Sequence, residues 1–144
     1  MAETRSTKTL TEAAFKAINA HDPAALAGLF ADDATGWDVV MPAAVKGPKA
    51  ISEYFRGQFK TFPDANIKTV STIEGGDSVA TEIEWTGTQK GPIEMPGMPT
   101  IPPTNRKVSG RGVIVSRSKN GKVTSFSVYY DTGSMMQQLG LGPK

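Results

Sequence analysis

The chain has no cysteine and a single histidine, His21. Without thiols there can be no disulfide, no thiolate nucleophile and no sulfur-ligated metal. One imidazole leaves too few nitrogen ligands for a zinc cluster. No metal or cofactor is therefore expected. Long apolar runs are missing as well, and the opening MAETRSTKTL has no hydrophobic core of the kind a signal segment carries. Charge of one sign is not concentrated anywhere. The 16 basic and 14 acidic residues are scattered, so neither nucleic acid nor an anionic membrane is an expected partner. The expectation is one cytoplasmic domain over residues 1–144, with the polar residues 1–8 frayed or disordered.

What is present falls into helices first and strands afterwards. Thr9 and Glu12 stand at capping-box spacing before an Ala-rich helix carrying Phe15 and Ile18. Asp22-Pro23 stops that helix and starts another, with Leu26, Leu29 and Phe30 as its apolar stripe. His21 lies at the junction and reads as a surface or capping residue. A short strand is expected over 34–40. Gly47-Pro48 then opens a third helix, where Ile51, Tyr54, Phe55, Phe59 and Phe62 recur at helical spacing and read as core.

From about residue 66 the pattern alternates. Strands are expected over 66–74, 78–88, 107–117 and 122–130, with Gly75-Gly76-Asp77 and Lys119-Asn120-Gly121 as turns. Asp131 begins a short helix closed by Gly140. Between the middle strands lies GPIEMPGMPTIPP, residues 91–103, which holds five of the ten prolines together with Met95 and Met98. Proline cannot join a ladder and stiffens the chain. The segment reads either as a surface hairpin loop or as a rim over a pocket mouth, its methionines adapting to an apolar guest.

Period-two alternation divides each strand into two faces. Ile83, Trp85, Ile114, Phe126, Val128 and Tyr130 fall together on the face expected beneath the helices. The other face, with Arg111 beside Val113, is expected to meet water or a second copy. In LFADDATGWD, Asp32 and Asp33 look like solvated turn residues. Asp38 is different. It shares its face with Ala34 and Gly36, two small residues that leave room beside an acid.

The segments NAHDPAALAGLFADDATGWD, GPKAISEYFRGQFKTFPD, PGMPTIPPTNRKVSGRGVIV and GKVTSFSVYYDTGSMMQQLGL span nearly the whole chain from residue 9. In that order they resemble the SnoaL-like branch of the nuclear transport factor 2 superfamily, which includes polyketide cyclases and ketosteroid isomerases. The resemblance implies an α+β fold of the cystatin-like kind: a curved antiparallel sheet wrapped around N-terminal helices as a cone-shaped barrel with one deep apolar pocket. It also implies a homodimer through the outer sheet face. In ketosteroid isomerases a similar segment ends in the aspartate that moves the proton, matching Asp38. The partner tyrosine and protonated acid of that chemistry fall on Ala14 and Ile114. The aspartate on the last strand of limonene epoxide hydrolases and polyketide cyclases falls on Val128. The hydrolase's arginine and second aspartate fall on Ile83 and Trp85. The base position is kept and the other chemical positions are not.

Three readings follow. In the first, the chain is an enzyme that isomerises or cyclises a small apolar carbonyl or polyketide-like substrate. Asp38 takes a proton next to the carbonyl and Tyr130 donates a hydrogen bond to the developing oxyanion. Trp37, Ile83, Trp85, Met95, Met98, Ile114, Phe126 and Val128 would bind the substrate. In the second, the same pocket holds a hydrophobic ligand unchanged. In the third, the domain serves assembly through its outer sheet face. Asp131 reads as a helix cap rather than as a second acid.

Overall fold

The structure is a computed structural model, and it describes residues 5–94, 97 and 99–141. Helix α1 spans Thr7–Asn19, α2 Pro23–Ala27, α3 Pro48–Thr61 and α4 Thr132–Gln138. Strands β1 to β6 span Phe30–Asp38, Val45–Lys46, Asn66–Gly75, Ser78–Thr88, Lys107–Lys119 and Lys122–Tyr130. The strands form one sheet in the order β2-β1-β6-β5-β4-β3. The fold is α+β, with helices packed on one face of a curved sheet, as expected.

Two features differ from the expected barrel. Among the described residues the sheet is open, because β2 and β3 are its edges and no pair closes it. It is also mixed: β1 runs parallel to β6, with Asp38 opposite Val128, while the other pairs are antiparallel. The parallel pair arises because β1 enters from the helical layer rather than by a hairpin.

Local chemistry explains most boundaries. Ser6, not Thr9, caps α1, accepting from Thr9 N at 3.1 Å, so the helix begins two residues before the expected box. Thr7 is buried, which draws part of the expected frayed segment into the core. Asp22 caps α2 through Ala25 N, with Pro23 in the first turn. Phe30 belongs to β1 rather than to the second helix, yet remains core at 5% exposure. Gly47 opens α3 at φ +90°, a conformation that costs glycine little. Asp131 caps α4, its Oδ1 accepting from Ser134 N at 2.9 Å. Near the start of β6 a register shift lets Val123 rather than Thr124 enter the core.

The core lies between the helices and the inner sheet face. Leu10, Phe15, Leu26, Ile51 and Phe55 meet Ile83, Ile114 and Phe126 there. Each such side chain contributes roughly 1.5–3 kcal/mol on burial. Gly36 lets Phe126 cross the sheet face, because a Cβ there would lie 2.5 Å from the ring's Cζ. The space that Ala34 and Gly36 were expected to leave open is thus filled by Phe126.

The proline-rich segment is anchored at its base. Gln89 is fully buried, donates to the carbonyls of Gly91 and Pro102, and accepts from both the amide and the hydroxyl of Thr104. Farther out, Ile93 and Ile101 bridge as an antiparallel pair. Thr61 at the end of α3 holds the amides of Lys90 and Gly91.

Candidate functional site

Asp38 is the last residue of β1 and is 3% exposed. Alternation turns it inward with Ala34 and Gly36, both buried. A carboxylate in such surroundings needs partners. Its Oδ2 accepts from the Tyr54 hydroxyl at 2.6 Å, and its Oδ1 accepts from Val40 N at 3.2 Å. The chain turns immediately afterwards, with Met41 N donating to the Asp38 carbonyl at 2.8 Å. That turn fixes the backbone on which the carboxylate is carried.

Tyr54 comes from α3, on the stripe that reads as core in the sequence. Its ring packs edge-on to Phe55 at 5.0 Å, and its hydroxyl reaches across to β1. Burial, then the Asp38 charge and the hydrogen bond to it, hold the Tyr54 hydroxyl far above the usual phenol range. Tyr130, the last residue of β6, stands beside the same carboxylate. Burial first and Asp38 second push it upward too. Tyr54 makes the 2.6 Å bond to that carboxylate, and Asp38 draws on the Tyr130 hydroxyl as well, by charge and by hydrogen bonding.

These three groups border a cavity of about 150 Å³. Helix α3 supplies Phe55, Gln58 and Phe59, and Phe62 follows directly after it. The sheet supplies Ile67, Ile83, Trp85, Ile114 and Val128, and α4 supplies Met135. Gln58, Asn66 and Thr86 are its polar rim. Among the described residues no lysine, arginine or histidine lines it. A smaller void of about 40 Å³ adjoins it, sharing Ile18, Phe55, Ile114 and Val128. Among the described residues no cluster of three or more metal-ligating side chains exists. None of the helices described is long and apolar enough to cross a membrane.

The expected site residues divide. Asp38, Tyr130, Ile83, Trp85, Ile114 and Val128 come together around the cavity. Trp37 does not. As the neighbour of an inward Asp38 it must face outward, where it packs against Tyr129 at 5.4 Å and donates to the Met41 carbonyl. Phe126 faces inward but is spent on packing, against Phe55 at 5.6 Å and over Gly36, and borders only the smaller void. Met95 and Met98 lie outside the described residues. The described part of the 91–103 loop contributes nothing to the cavity wall; it packs beside the end of α3. Tyr54 is the residue the sequence reading passed over. Its signal was a lone hydroxyl among phenylalanines on one helical stripe. His21 backs the cavity from behind, stacked on Phe59 at 4.6 Å with Nε2 at 2.8 Å from the Ala65 carbonyl.

Residues 11–126 match the SnoaL-like domain. The chain belongs to the SnoaL-like domain family. A candidate SnoaL-like polyketide cyclase from Jannaschia sp. CCS1 superposes with a TM-score of 0.82 at 18% identity, covering 99% of this chain and 100% of that one. IdmH, a candidate polyketide cyclase from Streptomyces antibioticus, gives 0.75 at 24% identity, over 94% and 99% of the two chains. A hypothetical protein of ketosteroid isomerase-like fold from Catenulispora acidiphila, solved with trimethylamine, gives 0.76 at 23% identity over 92% of each. At these identities the likeness is one of fold. No curated protein matches the sequence.

Proposed function

We propose that this SnoaL-like protein is an enzyme that abstracts a proton next to the carbonyl of a small, neutral, largely apolar substrate, driving isomerisation or ring closure. The observation that carries the reading is Asp38, a carboxylate 3% exposed at the wall of an apolar cavity. Apolar walls disfavour a second charge, and with no basic side chain among the described lining an anionic substrate has no partner. The volume suits a guest of about one six-membered ring.

In the reaction, an Asp38 oxygen takes the proton from the carbon next to the carbonyl. The C–H electrons form the carbon–carbon double bond of the enolate, and the carbonyl electrons move to oxygen. Once protonated, Asp38 no longer competes for tyrosine protons, and the Tyr130 hydroxyl can turn to the oxyanion. For isomerisation Asp38 returns the proton at another carbon. For ring closure the enolate carbon attacks a second carbonyl carbon, whose oxygen receives the proton. Tyr54 positions Asp38 throughout. A positioned base contributes on the order of 10² to 10⁴ in rate, and the cavity adds orientation.

Turnover of a panel of enolisable ketones and cyclisable polyketide mimics tests the proposal. Conversion that disappears in Asp38→Asn supports it, and conversion that persists removes Asp38 from the reaction. We also propose a homodimer through the outer sheet face, where Tyr129 and Ile73 are exposed at 46% and 67%.

A further inference from the structure

Trp85 sits on β4 with its indole edge laid over Gly110 of β5. A Cβ on Gly110 would come within 2.9 Å of Cζ2, 3.1 Å of Cε2 and 3.4 Å of Nε1. Glycine at 110 is therefore what lets the nitrogen-bearing edge lean across the inner face of β5. In the strand order, β6 with Tyr130 lies beyond β5, and β1 with Asp38 lies beyond that. The Trp85 and Tyr130 rings meet edge to face at 6.0 Å, and both line the cavity.

The indole N–H is buried and makes no hydrogen bond. Among the described residues it shares that condition only with the Thr81 hydroxyl, which does not line the cavity. Leaving a buried donor unmade is costly, so a folded chain seldom keeps one without use. Trp37 shows the ordinary arrangement, its N–H satisfied by the Met41 carbonyl at 3.0 Å. Meanwhile the Tyr54 proton is engaged by Asp38. Among the described residues lining the cavity, apart from the Gln58, Asn66 and Thr86 groups at its rim, the Trp85 N–H is the buried donor with no partner.

We infer that Trp85 is a substrate-binding donor, its Nε1–H taking the carbonyl oxygen of a neutral guest beside Tyr130 and selecting ketones over hydrocarbons of the same shape. This rests on the proton-abstraction reading for the identity of the oxygen. Reaching the N–H requires the guest to displace the side chains now covering it. The bond formed is one the empty site lacks, so the preference follows from the orphan donor rather than from added apolar contact.

Two indole resonances are expected from the two tryptophans, and Trp37 serves as the internal reference. In ¹⁵N-labelled protein, cyclohexanone should move the Trp85 indole proton downfield and leave that of Trp37 in place. Methylenecyclohexane, which has the same shape without the oxygen, should produce no such downfield shift. Trp85→Phe should weaken cyclohexanone binding roughly five- to tenfold more than it weakens methylenecyclohexane binding. A ketone that fails to enter, or that leaves the Trp85 resonance unmoved, overturns the inference, as does equal ketone affinity in Trp85→Phe. Deuterium exchange on the same ketone separates the two readings. Exchange that needs Asp38 but ignores Trp85→Phe removes Trp85 alone. A Trp85 shift without Asp38-dependent exchange removes the base and leaves the donor.

Discussion

The Tyr54 hydroxyl donates to Asp38 Oδ2 over 2.6 Å, tying the middle of α3 to the last residue of β1. It joins the helical layer to the sheet beside the cavity. A hydrogen bond to a carboxylate contributes about 1.5–3 kcal/mol when buried. Tyr54→Phe should therefore destabilise the fold by roughly that amount, read from chemical denaturation. It should also loosen Asp38 and lower turnover more than substrate affinity. A variant as stable and as active as the parent would show the bond to be incidental.

Ionisation of the tyrosines offers a second check. Tyr54 and Tyr130 are both raised above the ordinary value of 10.0, by burial first and by Asp38 next. A raised acid keeps its proton in the folded state after the unfolded chain has lost it. The stabilisation is thus complete below pH 10 and declines as pH climbs above it. Ultraviolet titration of tyrosinate should show two of the three tyrosines ionising only with alkaline unfolding. Asp38→Asn should lower both transitions without abolishing the shift, since burial remains.

Packing beside the acid is tight. Gly36→Ala places a methyl 2.5 Å from Phe126 Cζ, and the ring is held by Phe30 and Phe55. Overpacking of this kind costs about 1–3 kcal/mol. Thermal unfolding should register it, with the register of β1 on β6 intact.

Much of this was legible in the residues and some was not. Strands β4 and β6 follow from alternation bounded by Gly-Gly-Asp and Asn-Gly turns, and they match residue for residue. The inward set Ile83, Trp85, Ile114, Val128 and Tyr130 follows from the same parity. Parity should also have excluded Trp37, since a strand cannot turn neighbouring side chains to one face. Tyr54 was hidden because helical spacing reports which face is buried, not what a hydroxyl on that face will meet sixteen residues upstream. The parallel β1–β6 pair and the filling of Gly36 by Phe126 depend on long-range register, which no local pattern carries.

For the proposed dimer, Val113 lies on the outer face of β5, paired across to Tyr129 and Glu82. Nearby, Arg111 and Glu84 form an exposed ion pair at 3.2 Å, of a kind that contributes little. Val113→Glu should therefore disrupt association where loss of that pair does not. Sedimentation analysis should show dimers for the parent and monomers for Val113→Glu; a parent that sediments as a monomer removes the proposal.

Everything chemical here depends on whether a guest in the cavity can surrender a proton to Asp38. Incubation of cyclohexanone in deuterated buffer, followed by NMR of its α-protons, measures that transfer without knowledge of the natural substrate. The parent protein should accelerate deuterium uptake over buffer, and Asp38→Asn should reduce the acceleration by about 10²-fold or more. Equal uptake with parent protein, with Asp38→Asn and with buffer would contradict it.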